Sequence, residues 1–135
     1  MGIRRVTARD GGTAGMLAWR GAWPAPRVPV VLVPGFGQNR FTWELGDLSL
    51  PRWLADRGHP TYALEHRGTG LAKGWGDGLA ASLDELVEGD LLAAVERVFD
   101  DCGSDRVALL AHSLGGLTSL LFAASHPERT AALVG

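Results

Sequence analysis

Short apolar runs alternate along this chain with longer segments in which apolar residues recur at helical spacing. The short runs, ended by Gly or Pro, predict strands, and the longer segments predict amphipathic helices. The predicted strands cover residues 3–9, 16–23, 28–33, 61–65, 106–111 and 131–134, and the predicted helices cover residues 48–57, 82–101 and 114–125. Because strands that alternate with helices form right-handed βαβ units, we predict an α/β fold. We expect three layers, in which a mostly parallel sheet of strands 1 to 6 has helices on both faces.

The ends of these elements carry specific signals. Ser82 is followed three residues later by Glu85, which is the spacing of a helix-starting capping box. The run 28–33 is apolar and rich in β-branched residues, interrupted only by Pro29, as in strands buried on both faces, and it stops at Pro34-Gly35. Ligands bind at the carboxyl ends of the strands in such sheets, so the residues after each strand are the functional candidates.

The composition describes one globular domain and excludes several classes of protein. The 135 residues suffice for a single core, and we assign residues 1–135 to one domain. Apolar residues make up 46% and charged residues 21%, which argues against disorder. The net charge of −2 provides no basic surface, so we expect no nucleic-acid partner.

No segment predicts export, membrane insertion or metal binding. No apolar stretch follows Arg4 and Arg5, and the longest apolar run is too short to span a bilayer. The single Cys102 cannot form an internal disulfide. Histidines and cysteines show no metal-ligand spacing, and no phosphate loop or dinucleotide motif is present. We expect no metal, no cofactor, no membrane span and a cytoplasmic location.

A serine follows the fifth predicted strand where the next helix begins. Residues 111–116 read Ala-His-Ser-Leu-Gly-Gly, close to the pattern G-x-S-x-G with Ala111 in the first glycine position. On such a tight turn only small residues fit two places before and after the serine, here Ala111 and Gly115. The turn exposes the hydroxyl of Ser113 as a nucleophile, and the N–H of Leu114 at the helix start becomes an oxyanion donor. The pattern alone is weak, and the flanking strand and helix make it specific.

A glycine-rich turn follows the third predicted strand. Residues 34–38 read Pro-Gly-Phe-Gly-Gln, and the N–H of Phe36 would supply the second oxyanion donor. Taken alone, the turn is more simply interpreted as an ordinary end of a strand. Paired with Ser113, it favours an oxyanion hole, with Gly35 and Gly37 lining the adjacent pocket.

Together these segments resemble the N-terminal half of an α/β-hydrolase-fold serine hydrolase of the esterase, lipase and lysophospholipase type. The resemblance rests on residues 30–43, 62–70 and 109–116, and it covers nearly the whole chain. It implies that Ser113 is the nucleophile and that Phe36 and Leu114 donate to the oxyanion. Two departures are visible, since Pro34 stands where many members have His and Ala111 replaces the first elbow glycine. Neither departure removes a catalytic group.

The base that would activate the serine is not evident. In this family the acid and then the histidine follow the nucleophile, but only His126 and Glu128 follow it here. Both lie beyond helix 114–125, and a helix of that length extends about 18 Å, out of hydrogen-bond reach. His66, after the fourth strand, is the best surrogate base in the chain, whereas we interpret His112 as structural. Trp43 and Trp75 lie in loops at the same edge and are predicted to line an acyl pocket.

The leading hypothesis is a serine hydrolase that acts on small-molecule carboxylic esters through an acyl-enzyme at Ser113. Because the acid and histidine are missing, we predict that the chain is the truncated N-terminal portion of one domain and nearly inactive by itself. One alternative is a non-catalytic half-domain that pairs with itself or with a complementing chain through the exposed last strand, 131–134. The other is an acyltransferase with the same elbow, because the sequence does not distinguish water from another acceptor.

Overall fold

A mixed six-stranded sheet forms the centre of the computed structural model, which describes residues 1–76 and 81–135. The strands are β1 (Gly2–Thr7), β2 (Thr13–Trp19), β3 (Val30–Val33), β4 (Glu44–Leu45), β5 (Leu48–Ser49), β6 (Thr61–Glu65), β7 (Val107–Ala111) and β8 (Thr130–Val134). The order across the sheet is β1-β2-β6-β3-β7-β8, and β4 pairs with β5 in a separate hairpin. Strands β6, β3, β7 and β8 are parallel, whereas β1 and β2 are antiparallel additions. The predicted α/β class with a mostly parallel sheet is confirmed.

Helices cover both faces of the sheet, as predicted. They are α1 (Leu50–Ala55), α2 (Leu92–Cys102), which continues a π-helical segment (Glu85–Leu91), and α3 (Leu114–Ser125). Helix α2 and Phe122 of α3 pack on one face, against a core that includes Val31, Leu64 and Leu109. Helix α1 packs on the other face, where the buried residues are Trp19, Val30, Leu32, Ala55 and Ala63. No described helix is long and apolar enough to cross a membrane.

Several predicted elements have different bounds in the structure. Strand β6 and helix α3 match the prediction, whereas the second strand lies at 13–19 and not at 16–23. This strand begins directly after the Asp10–Gly12 turn because it pairs residue by residue with β1. The helix predicted from residue 48 begins at Leu50, because Leu48 and Ser49 pair with Glu44 and Leu45. Short 3₁₀ turns at Arg40–Trp43, Gly70–Ala72 and Pro127–Arg129 were not predicted.

The predicted capping box is present at the start of the long helix. Ser82 N donates to Glu85 Oε1 at 3.0 Å, and Glu85 N donates to Ser82 Oγ at 3.2 Å. The helix then runs from 83 to 102, but residues Glu85–Leu91 have π-helical hydrogen bonding that apolar spacing does not reveal. The loop predicted for residues 69–78 lies partly outside the described residues.

Candidate active site

Ser113 sits between β7 and α3 in a backbone conformation that serine rarely adopts. Its φ is 55° and its ψ is −119°, and it is the only non-glycine residue with positive φ in the described parts of the chain. Such a conformation costs about 1–3 kcal/mol and persists only where the surroundings impose it. The side chain is exposed at the carboxyl end of the sheet. This strained, exposed serine at a strand-to-helix turn has the geometry of a nucleophile elbow.

The tight approach of α3 to β3 explains why a small residue follows Ser113 by two positions. A Cβ atom at Gly115 would lie 2.6 Å from the carbonyl oxygen of Pro34 and closer still to that of Val33. Both clashing atoms belong to the backbone, which cannot move aside cheaply. On the other side of the elbow, Ala111 pairs with Val33 in the sheet and is buried. The sheet and the helix thus meet at the elbow with room for small residues only.

The loop after β3 lies directly beside the serine. A Cβ atom built on Gly35 would lie 3.2 Å from Cβ of Ser113, and Gly37 has a φ of 67° that favours glycine. Leu114 is the first residue of α3, where backbone N–H groups lack helical partners. Within the described residues, the N–H groups of Leu114 and Phe36 donate no hydrogen bond. The structure therefore brings the predicted oxyanion residues to the same edge as Ser113.

The side chain of Gln38 links this loop to the elbow, and this link could not be predicted from the sequence. Its side-chain oxygen accepts a hydrogen bond from Gly35 N at 2.8 Å and lies 3.0 Å from His112 Nδ1. Since an amide oxygen only accepts, His112 must carry its proton on Nδ1 in this contact. His112 therefore faces the loop. The side-chain oxygen of Gln38 is a shared acceptor that connects His112, next to the nucleophile, with Gly35, next to Phe36.

A cavity of about 280 Å³ opens beside the two predicted oxyanion donors. Its described lining is formed by Gly35, Phe36, Gly37, Gln38, His66, Arg67, Gly68, Thr69, Ala81, Leu86 and Leu114. The ring of Phe36 is 87% exposed, so it stands at the rim and not in a core. The lining combines apolar side chains with a few polar groups, as ligand cavities commonly do.

The two predicted pocket tryptophans lie elsewhere. Trp43 lines a separate cavity of about 460 Å³ together with Leu45, Leu48 and Trp53. Trp75 packs against Gly15, and the guanidinium carbon of Arg5 lies 5.4 Å from the centroid of the Trp75 ring. Neither is among the described residues that line the cavity beside Leu114. Topology places a loop at an edge of the sheet, but the local turns decide where its side chains point.

None of the four histidines hydrogen-bonds to Ser113 in the parts of the chain that the structure describes. His126 Nε2 lies 2.9 Å from Glu88 Oε2, and its ring packs against Phe122. His59 Nδ1 contacts the carbonyl oxygen of Val28, 2.8 Å away, at the opposite edge of the sheet. His66 lies on the correct edge and lines the cavity, but strand β3 separates its strand from that of Ser113.

A buried ionic cluster behind the cavity was also missed by the sequence analysis. Asp90 accepts hydrogen bonds from the backbone N and the Nε of Arg67, both at 2.8 Å. The same guanidinium contacts Asp10 at 3.0 Å and Glu85 at 3.2 Å. Burial opposes ionisation of Asp90, but nearby His66 and the Arg67 hydrogen bonds outweigh it and lower the pKa of its carboxyl. The cluster fastens the loop after β6 to the long helix.

Glu65, at the end of β6, fixes the neighbouring turns in a similar way. Its carboxylate accepts from Arg40 N at 2.9 Å, from Arg40 Nη1 at 3.0 Å and from Leu71 N. These contacts anchor the 3₁₀ turns on both sides of the strand end. No group of three or more potential metal ligands occurs within residues 1–76 and 81–135.

Comparison with known proteins identifies the family. The sequence model of a family described as "alpha/beta hydrolase fold" matches residues 28–135. The chain belongs to the α/β-hydrolase family. The match includes both the loop after β3 and the elbow, so the geometry described above lies within the part shared with this α/β-hydrolase family.

Individual α/β-hydrolase relatives carry different activities in their names. A putative carbamate hydrolase of Variovorax paradoxus is 32% identical over 114 residues, which is 82% of this chain and 38% of that protein. A 1-acylglycerol-3-phosphate O-acyltransferase of Sus scrofa is 31% identical over 110 residues, 80% of this chain and 29% of that protein. A solved epoxide hydrolase of Vigna radiata superposes with a TM-score of 0.70 at 22% identity, over 98% of this chain and 38% of that one. The chain therefore spans well under half the length of these relatives.

Proposed function

We propose that this chain carries the nucleophile and oxyanion hole of a serine hydrolase acting on carboxylic esters. The observation that carries the proposal is the strained turn at Ser113, with a φ of 55° at the end of β7. A backbone that holds a serine in this conformation and leaves it exposed presents a nucleophile. The loop after β3, fastened to the elbow by Gln38, supports the same function.

In the proposed reaction, Ser113 Oγ attacks the ester carbonyl carbon and loses its proton to a base. The carbonyl oxygen becomes an oxyanion that the N–H groups of Phe36 and Leu114 hold, helped by the dipole of α3. Collapse of this intermediate breaks the bond to the alcohol, which leaves with the proton from the base and gives an acyl-enzyme. Water then attacks the acyl-enzyme, releases the carboxylic acid and restores Ser113.

The base and its carboxylate partner are proposed to lie outside residues 1–135. Family order places both after the nucleophile, and no described histidine forms a hydrogen bond to Ser113. The relatives, more than twice as long as the aligned segment, support this division. On this proposal residues 1–135 form the N-terminal portion of one domain, and by themselves they turn over esters only slightly above background. Reading the coding sequence beyond codon 135 would identify the missing acid and histidine.

Acyl transfer to an alcohol or amine is the second candidate function. The Sus scrofa relative is named as an acyltransferase, and the elbow described here suits either acceptor. The two reactions share the acyl-enzyme and differ only in what attacks it. Product analysis with a competing alcohol would separate them, since hydrolysis yields only the acid whereas transfer yields a new ester.

The decisive test compares Ser113→Ala with Ser125→Ala in the complete protein that contains these residues, using p-nitrophenyl butyrate. Ser125 is an exposed serine at the other end of α3, so its replacement controls for the change of residue type. We expect Ser113→Ala to lower kcat by about 10³-fold or more, and Ser125→Ala to leave it unchanged. Turnover that survives Ser113→Ala would reject the proposed function. Full Ser113-dependent turnover by the 135-residue chain would instead show that the chain has its own base.

A further inference from the structure

His66 is a buried polar side chain that the proposed mechanism does not use. It is 8% exposed, and it lines the cavity that Phe36 and Leu114 also line. In the described parts of the chain Nδ1 is fully buried and has no hydrogen bond, and it lies against the carboxylate of Asp90. Because one ring nitrogen faces Asp90 and the residue lines the cavity, the other nitrogen, Nε2, is the atom that a ligand in the cavity can contact.

The surroundings of His66 determine which chemistry its ring offers. Nδ1 lies 3.4 Å from Asp90 Oδ2, and Asp90 is held in place by Arg67. An adjacent carboxylate favours the tautomer whose proton is on Nδ1, which leaves a lone pair on Nε2. The ring therefore offers the cavity a hydrogen-bond acceptor whose orientation is fixed from behind.

The same cluster argues against an anionic ligand. Arg67 is the one cationic side chain among the described residues of the cavity lining. Its guanidinium already contacts Asp10, Glu85 and Asp90, so little positive charge is left for a ligand carboxylate or phosphate. A neutral group that donates a hydrogen bond fits this wall better.

We propose that His66 is a specificity residue that accepts a hydrogen bond from a hydroxyl group on the acyl chain of the substrate. The inference rests on the proposed function, because Phe36 and Leu114 would hold the acyl oxygen at one wall of this cavity. The acyl chain then enters the cavity, and His66 meets it at the wall formed by the end of β6. The substrate class is a short-chain hydroxyacyl ester, which a cavity of about 280 Å³ accommodates.

Binding to the Ser113→Ala variant tests the inference without requiring turnover. The probes are ethyl 3-hydroxybutyrate and ethyl butyrate, which differ only by the hydroxyl group, and Kd is measured by NMR titration of the complete protein. We expect the hydroxy ester to bind at least about tenfold more tightly, because a site with an unpaired acceptor discriminates against the ligand that lacks the donor. With His66→Phe added, the preference should fall below about twofold, and His66→Gln, which keeps an acceptor oxygen, should restore part of it.

His59→Phe is the matched control, because it makes the same change at a histidine on the opposite edge of the sheet. This variant should retain the full preference. If His66→Phe does not fold, as judged by near-UV circular dichroism, His66→Leu removes the acceptor with a smaller side chain.

Each outcome bears on the inference separately from the proposed function. Equal affinity for the two esters, no detectable binding of either, or a preference that persists in a folded His66→Phe or His66→Leu variant would overturn it. A His66-dependent preference in a protein that shows no Ser113-dependent turnover would support the inference and reject the proposed function.

Discussion

Gly115 is the residue on which the shape of the elbow depends most directly. It lies in the first turn of α3 where the helix meets the backbone of β3, and a Cβ atom there would overlap the carbonyl oxygens of Val33 and Pro34. Its neighbour Gly116 faces open space, with no heavy atom within 4 Å of a built Cβ. Two adjacent glycines of one helix thus have opposite steric environments.

This contrast predicts opposite effects of the same substitution. Gly115→Ala should lower the free energy of unfolding by about 1–3 kcal/mol, because the helix must move away from β3. Gly116→Ala should raise it by about 0.5–1 kcal/mol, because alanine loses less conformational freedom than glycine in a helix. Urea denaturation of the two variants measures both values. Equal stability of the two variants would contradict the close approach of α3 to β3.

The residues that carry the candidate site divide into those that sequence reveals and those that it does not. The spacing of small residues around Ser113 and the glycines after β3 follow from local turn geometry, so both segments could be predicted. Gln38 and Asp90 act through partners distant in the sequence, His112 and Arg67, and no local pattern indicates such pairs. The positions of Trp43 and Trp75 could not be predicted for the same reason, because the direction of a loop side chain depends on tertiary packing.

At the level of secondary structure elements, the buried Arg67 and Asp90 pair joins the end of β6 to the long helix. The side chain of Asp90 is fully buried. The Arg67 guanidinium packs against Gly12 and Gly89, where an added Cβ atom would overlap it. Removing one member of a buried ion pair leaves the other without compensation, which costs about 3–5 kcal/mol. The cluster therefore holds the β1–β2 turn, the loop after β6 and the helix in one arrangement.

Asp90→Asn should lower the free energy of unfolding by about 3 kcal/mol at neutral pH. It should also make the free energy of unfolding less dependent on pH in acid. The folded-state pKa of Asp90 lies below 3.8, its ordinary value, so its ionisation stabilises the fold above that pH. The stabilisation is lost as the pH falls through the lowered pKa. The wild-type free energy of unfolding, measured by urea titration at a series of pH values, should therefore fall below pH 3.8 more steeply than that of Asp90→Asn.

The control for this prediction is Asp105→Asn, because Asp105 is exposed and makes no ion pair in the described parts of the chain. It should match the wild type in both stability and acid dependence. An Asp90→Asn variant with wild-type stability at neutral pH would contradict the proposed role of the cluster.

Some of the helices and strands could be predicted from the sequence and others could not. Strands and helices with a strong apolar pattern, such as β6 and α3, could be placed from the sequence alone. The hairpin of β4 and β5 was missed because its strands have two residues each, too few to show any periodicity. The π-helical segment was also missed, since its side chains keep nearly helical spacing. The antiparallel start of the sheet comes from the hairpin of β1 and β2, whereas the alternation of strands and helices indicates only the parallel part.

The two edges of the whole sheet differ in how well they resist association. Strand β1, at one edge, carries Arg4 and Arg5, and charged edge residues discourage pairing with another sheet. Strand β8, at the other edge, has the sequence Thr-Ala-Ala-Leu-Val without a charge, and Val134 is 58% exposed. The hypothesis that the chain pairs through its last strand therefore applies to one edge and not to the other.

If β8 is a pairing edge, the 135-residue chain should associate as its concentration rises, and Val134→Lys should reduce this association by placing a charge on the edge. Ile3→Lys is the matched control, because it makes a similar change to an exposed apolar residue on β1, and it should leave the association unchanged. Light scattering across a wide concentration range gives the mass of each variant. A constant monomer mass for the unsubstituted chain would count against pairing through β8, and equal suppression by both lysines would show that association does not depend on this edge. Association that Val134→Lys alone abolishes would show that copies of the chain pair through β8, because only the charge placed on that edge prevents it.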